Sequence, residues 1–67
     1  MTKKHLTIFA AVYKEGSITL AAEKLYMTQP AVSLAIHQLE DYYGVKLFDR
    51  LNRRLSVTQA GHELYQY

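Results

Sequence analysis

The stretch Thr28-Gln29-Pro30-Ala31-Val32-Ser33-Leu34-Ala35-Ile36-His37-Gln38-Leu39-Glu40 decides the fold. Thr28 has the chemistry of a helix N-cap, because its hydroxyl can accept an orphan amide N–H of the first turn. Pro30 falls within that turn, where its missing N–H costs nothing and its fixed φ suits a helix start. Apolar residues then recur at helical spacing as far as about Tyr43, and Gly44 suits the C′ position that ends the helix. On a wheel of about 100° per residue with Gln29 at zero, Val32, Ala35, Ile36, Leu39 and Tyr43 gather near roughly 290°. Gln29, Pro30, Ser33, Leu34 and His37 gather near roughly 70°. One face is core, and the other is presented outward.

Working backward, Lys3 to Glu15 reads as a first helix, with Leu6, Phe9, Ala10 and Tyr13 at helical spacing and Ile8 and Val12 widening the stripe. Gly16 suits its end and Ser17 the next N-cap. A short second helix follows from Ile18 to about Leu25. Its residues Ala21, Ala22 and Leu25 form a face small enough for close packing. Tyr26 and Met27 make a brief connection to Thr28. Working forward, the period changes after Gly44. Val45, Leu47 and Phe48 lead into Asp49 and Arg50, a turn at Leu51-Asn52-Arg53, and then Leu55 and Val57 alternating with Ser56, which reads as a two-stranded hairpin. Thr58 caps a last helix through Ala60 and Leu64 that is still running at Tyr67. The expected architecture is mainly α: a winged helix-turn-helix over residues 1–58, with the start of a linker helix over 59–67.

The outward face of the third helix holds no carboxylate until its C-terminal end, where Glu40 and Asp41 stand. An acid-free N-terminal half suits an approach to phosphates, since the amide end of a helix already attracts anions. Gln29 can pair bidentately with adenine in the major groove, Ser33 can donate or accept, and Leu34 can make only apolar contact, as with a thymine methyl. Any surface helix has a polar side, so the wheel by itself also allows a merely solvated face. A short helix, a tight connection and a capped second helix form a helix-turn-helix, whose second helix places its N-terminal residues in the groove. Arg50, Arg53 and Arg54 sit on or beside the expected wing tip, within reach of backbone phosphates or a minor groove.

Composition narrows the alternatives. The 67 residues carry 49% hydrophobic side chains, a net charge of +2 and no cysteine. That is one small packed domain, without disulfide or thiolate metal site, and mildly basic in a way compatible with nucleic acid. No apolar run approaches the roughly 18 residues of a membrane span, and no secretory leader is expected. His5, His37 and His62 lack the short spacings of zinc motifs, and no nucleophile-base-orienter arrangement is visible. The chain is therefore read as neither an enzyme nor a metalloprotein, with no cofactor. His5 and His62 are expected at the surface, and His37 on the phosphate side or facing solvent.

These fragments, in this order, resemble the N-terminal DNA-binding domain of LysR-type transcriptional regulators. The resemblance runs through Gly16-Ser17, Ala21-Ala22-Glu23-Lys24-Leu25, Thr28-Gln29-Pro30-Ala31-Val32-Ser33, and Ile36 with Leu39-Glu40. It continues through Gly44-Val45-Lys46-Leu47-Phe48-Asp49-Arg50, Arg53-Arg54 and Thr58-Gln59-Ala60-Gly61. It implies a bacterial transcription factor acting in the cytoplasm at the nucleoid, bound to promoter or operator DNA as a dimer or tetramer. It also implies a long linker helix pairing two domains and leading to a C-terminal domain, beyond this sequence, that binds a small-molecule effector. Thr28, Gln29, Pro30, Ser33 and Leu34 would then face DNA, with Arg50 and Arg53 or Arg54 serving the wing. Ala60, Leu64 and Tyr67 would extend an apolar stripe for dimerisation.

The sequence also departs from the family pattern. Leu34 stands where arginine is common, removing a guanine or phosphate contact. Asn52 replaces a common wing glycine, tolerably, because Asn also visits positive φ. Ser56 stands where a basic residue is frequent, so weak, strongly salt-dependent binding by the isolated domain is expected. Two other readings keep the fold: a winged-helix module for protein contact, to which the six tyrosines could contribute, and another winged-helix regulator family with different effector logic.

Overall fold

The chain forms three helices before any strand: α1 (Lys3–Glu15), α2 (Ile18–Leu25) and α3 (Gln29–Tyr43), then β1 (Phe48–Leu51), β2 (Arg54–Val57) and α4 (Gln59–Gln66). The computed structural model describes residues 3–51 and 54–66, and at 50, 51 and 54 the backbone alone. Each helix boundary follows from its flanking residue. Gly16 and Gly44 end α1 and α3 at φ 66° and 70°, a left-handed conformation that costs glycine nothing. Ser17 and Thr28, both in extended backbone, accept the Leu20 and Ala31 amides at 3.2 and 3.3 Å. Thr58 does the same for α4, accepting the Gly61 amide at 3.0 Å.

The core lies where α1, α2 and α3 meet, closed from below by the wing. Val12, Val32, Leu39 and Leu47 are fully buried. Each such side chain contributes about 1.5–3 kcal/mol relative to an exposed one. Ala21 and Ala22 are buried as well, and their small size lets α2 lie close to its neighbours. Phe9 meets Phe48 with ring centroids 5.4 Å apart, tying the first helix to the first strand.

The expected element order holds, and three details differ from the sequence reading. In α1 the buried set is Ile8, Phe9 and Val12, while Leu6 is 38% exposed and Ala10 and Tyr13 are half-buried. The helix is gripped from two sides, by α2 and α3, which rotates its buried stripe toward Ile8. Tyr43 was expected in the core but is 40% exposed, because α3 runs on past Leu39 and out of the core; its ring stands edge-on to Tyr42 instead. The hairpin is tighter than expected. Phe48 pairs with Val57, Asp49 with Ser56, Arg50 with Leu55 and Leu51 with Arg54, so Leu51 belongs to the strand and not to the turn.

Leu47, at the entrance to the wing, has both backbone groups held by flanking elements. Its N–H donates to Glu40 Oε2 at 2.8 Å and its carbonyl accepts the Thr58 N–H at 3.0 Å. The Thr58 hydroxyl also donates to the Lys46 carbonyl at 2.6 Å. Such pairing is required for backbone buried as deeply as this.

Candidate nucleic-acid interface

The cap at Thr28 sets the direction in which α3 starts, and the face it presents is largely open. Thr28, Gln29, Pro30, Leu34 and His37 are exposed, with Leu34 at 58%. Ser33 is half-buried at the edge of a cleft of about 550 Å³ between α3 and the wing, whose walls include His37, Glu40, Lys46, Phe48 and Asp49. Gln29, Ser33 and His37 stand one helical turn apart and form a polar line along the helix. The first turn of α3 carries no acidic residue, so its amide end keeps its attraction for anions.

Among the expected site residues, the structure brings Gln29, Pro30, Ser33, Leu34 and His37 together on this one helix, with Thr28 as its cap. Arg50 and Arg54 lie on β1 and β2, opposite Leu55 and Leu51 in the register, and their side chains are outside the described residues, as is all of Arg53. Ala60 and Leu64 are half-buried against the domain's own core, and Tyr67 is outside the described residues. On the far side of α1, α4 is further held by Tyr65, stacked on Tyr13 at 3.8 Å, and by a 2.9 Å hydrogen bond between the Tyr13 hydroxyl and His62 Nδ1.

Sequence reading missed two residues. Glu40 looked like an acid closing the outward face. Its side chain is only 11% exposed, and Oε2 accepts both the Leu47 and the Phe48 amides, at 2.8 and 3.3 Å, while Oε1 lies 3.5 Å from His37 Nδ1. A carboxylate in the last turn opposes the helix dipole, and that unfavourable position was the available signal that it has a partner elsewhere. Tyr26 is the second. It adopts φ 56° between α2 and α3 and is 97% exposed, a left-handed residue without the usual glycine.

The histidines have separate partners. His5 Nε2 donates to Gln38 Oε1 at 2.6 Å, His37 faces Glu40, and His62 meets Tyr13. No group of three or more potential metal ligands occurs among the described residues. No described helix is long and apolar enough to cross a membrane.

The arrangement is that of a winged helix-turn-helix with a capped, acid-free helix start beside a two-stranded wing. Residues 4–62 match the model of the bacterial regulatory helix-turn-helix proteins of the lysR family. The chain belongs to the LysR family. The family consists of transcriptional regulators and is not enzymatic. The RuBisCO operon transcriptional regulator of Allochromatium vinosum is 45% identical over 64 residues, covering 96% of this chain and 21% of the relative. The LysR-type chain thus spans about a fifth of the length of the curated relatives it matches. Among solved structures, the BenM DNA-binding domain in complex with catB site 1 DNA superposes with a TM-score of 0.94 at 43% identity, covering 100% of this chain and 75% of that one. The CbnR DNA-binding domain in complex with DNA gives 0.92 at 33% identity, covering 98% and 76%. This LysR-family chain is therefore the DNA-binding type of domain, and its winged fold is the one those complexes contain.

Proposed function

We propose that this domain binds duplex DNA sequence-specifically, with α3 entering the major groove N-terminus first and the wing lying on the backbone or in the minor groove. The observation that carries this reading is the outward line of exposed Gln29, half-buried Ser33 and exposed His37 on a helix start free of acids, in a chain whose fold matches domains crystallised on DNA. Gln29 and Ser33 read base edges, Leu34 meets a thymine methyl, and Thr28 and Pro30 fix the helix that carries them. Arg50, Arg53 and Arg54 supply mainly affinity through phosphates.

In the full-length protein, this reading extends to regulation of transcription at a promoter in the bacterial cytoplasm. Residues 59–67 begin a linker helix through which two copies pair, and a separate domain takes the effector. Because Ala60 and Leu64 already pack on their own domain, that pairing has only part of their surface to use. Kinship with RuBisCO operon regulators makes promoter duplexes of that kind the first to try. A protein-contact role is less well supported: the outward start of α3 offers Leu34 as its one large apolar side chain, while Tyr42, Tyr43 and Val45 lie at the opposite end.

Fluorescence-anisotropy titration with a randomised duplex pool at two salt concentrations tests the proposal. Binding that weakens steeply with salt supports it. No binding to any duplex, even with α4 extended by its natural continuation, overturns it.

A further inference from the structure

His37 is the member of the polar line whose hydrogen-bonding sense a neighbouring charge can set. A neutral imidazole carries one N–H and one acceptor nitrogen, and the partner of one nitrogen decides the role of the other. Here Nδ1 faces Glu40 Oε1 at 3.5 Å, and the side chain is 70% exposed. At that distance the contact is electrostatic: a lone pair on Nδ1 would lie beside a carboxylate oxygen and be repelled, whereas an Nδ1–H is attracted. The carboxylate cannot turn away, because its other oxygen is held by the Leu47 and Phe48 amides. Among the described residues Nε2 has no polar partner.

We propose that Glu40 is a positioning residue that holds neutral His37 in the Nδ1–H form, so that His37 presents an acceptor, Nε2, to the groove. This rests on the DNA-binding reading and adds a base preference to it. An outward acceptor selects a base with an exocyclic amine in the major groove, adenine N6 or cytosine N4, and disfavours the O6 and N7 acceptors of guanine. The same carboxylate anchors the wing, so the reader and the wing share one fixed point.

Glu40→Gln tests it with little change in shape. The amide oxygen can keep accepting the Leu47 and Phe48 amides, while the amide nitrogen takes the place of Oε1 and donates to Nδ1. His37 would then carry its proton on Nε2 and turn a donor outward. Long-range ¹⁵N–¹H spectra of the imidazole nitrogens, recorded with the ring deprotonated and no DNA, read the tautomer directly. The expected result is Nδ1–H in wild type, against the Nε2–H form that an isolated imidazole prefers, and Nε2–H in Glu40→Gln. Selection from a randomised duplex pool should show preference at one position moving from adenine or cytosine toward guanine by about two- to tenfold, the ratio a single net hydrogen bond carries. Combining Glu40→Gln with His37→Ala should abolish that shift. Predominant Nε2–H in the wild-type domain, a measurement that needs no variant, overturns the proposal. So does an unchanged base preference in a folded Glu40→Gln protein. Wild-type protein that shows the Nδ1–H spectrum but binds no duplex overturns the DNA-binding reading instead, and the two failures are thereby told apart.

Discussion

Gly61 lies directly against the carbonyl of Leu47: a Cβ at Gly61 would collide with that oxygen and stand 2.8 Å from Val57 Cγ1. The last helix is therefore seated on the segment that leads into the wing. Thr58 tightens the same joint by bonding the Lys46 and Leu47 carbonyls. Gly61→Ala is expected to cost about 1–3 kcal/mol, the usual range for overpacking a site whose neighbours cannot give. Urea unfolding measures it, and an unchanged midpoint would mean that α4 does not rest there.

Glu40→Ala is expected to cost more than a surface carboxylate normally does. It leaves the Leu47 and Phe48 amides without an acceptor, beside side chains that are 1% and 7% exposed. Hydrogen bonds to a charged group are worth about 1.5–3 kcal/mol, and a loss in that range should appear in denaturant unfolding. Glu40→Gln, which keeps an acceptor, should recover most of it.

Tyr26→Gly should stabilise the domain. Holding a non-glycine residue left-handed costs about 1–2 kcal/mol, while glycine adds about 0.4–1 kcal/mol of unfolded-chain freedom. At 97% exposure the ring has no packing to lose, so the net gain should be of order 1 kcal/mol or less. Thermal unfolding compared with Tyr26→Val, which should destabilise, checks the sign.

Leu34→Arg places a cation on the exposed, acid-free part of α3, where Leu34 is 58% exposed and holds nothing together. Affinity for duplex DNA should rise, and the slope of log K against log salt should steepen by about 0.9 for one added phosphate contact. Anisotropy titrations across a salt series measure both. A tighter complex with an unchanged slope would mean that the new arginine meets a base, not a phosphate.

Much of this was legible in the sequence because it is local. Thr28, Pro30 and Gly44 state where α3 begins and ends, and the period of Val32, Ala35, Ile36 and Leu39 states which side is buried. The outward face follows by subtraction. What depends on contact between distant segments was not legible. Tyr43 has the wheel position of a core residue, but the core ends before the helix does. Leu6 lost its place to Ile8 because two helices, not one, press on α1. Glu40 gives no sign in its neighbours that it holds amides seven and eight residues ahead. Ala60 and Leu64 read as a free stripe until the core is seen to be using them.

On the proposed reading, the outward face of α3 reads bases. Sequencing the duplexes retained from a randomised pool by wild-type and Gln29→Ala proteins tests it most directly. The expected result is a wild-type motif in which Gln29→Ala loses about 1–3 kcal/mol of discrimination at one position and leaves the others intact. An identical motif from both proteins, or no enrichment with wild type, would contradict it.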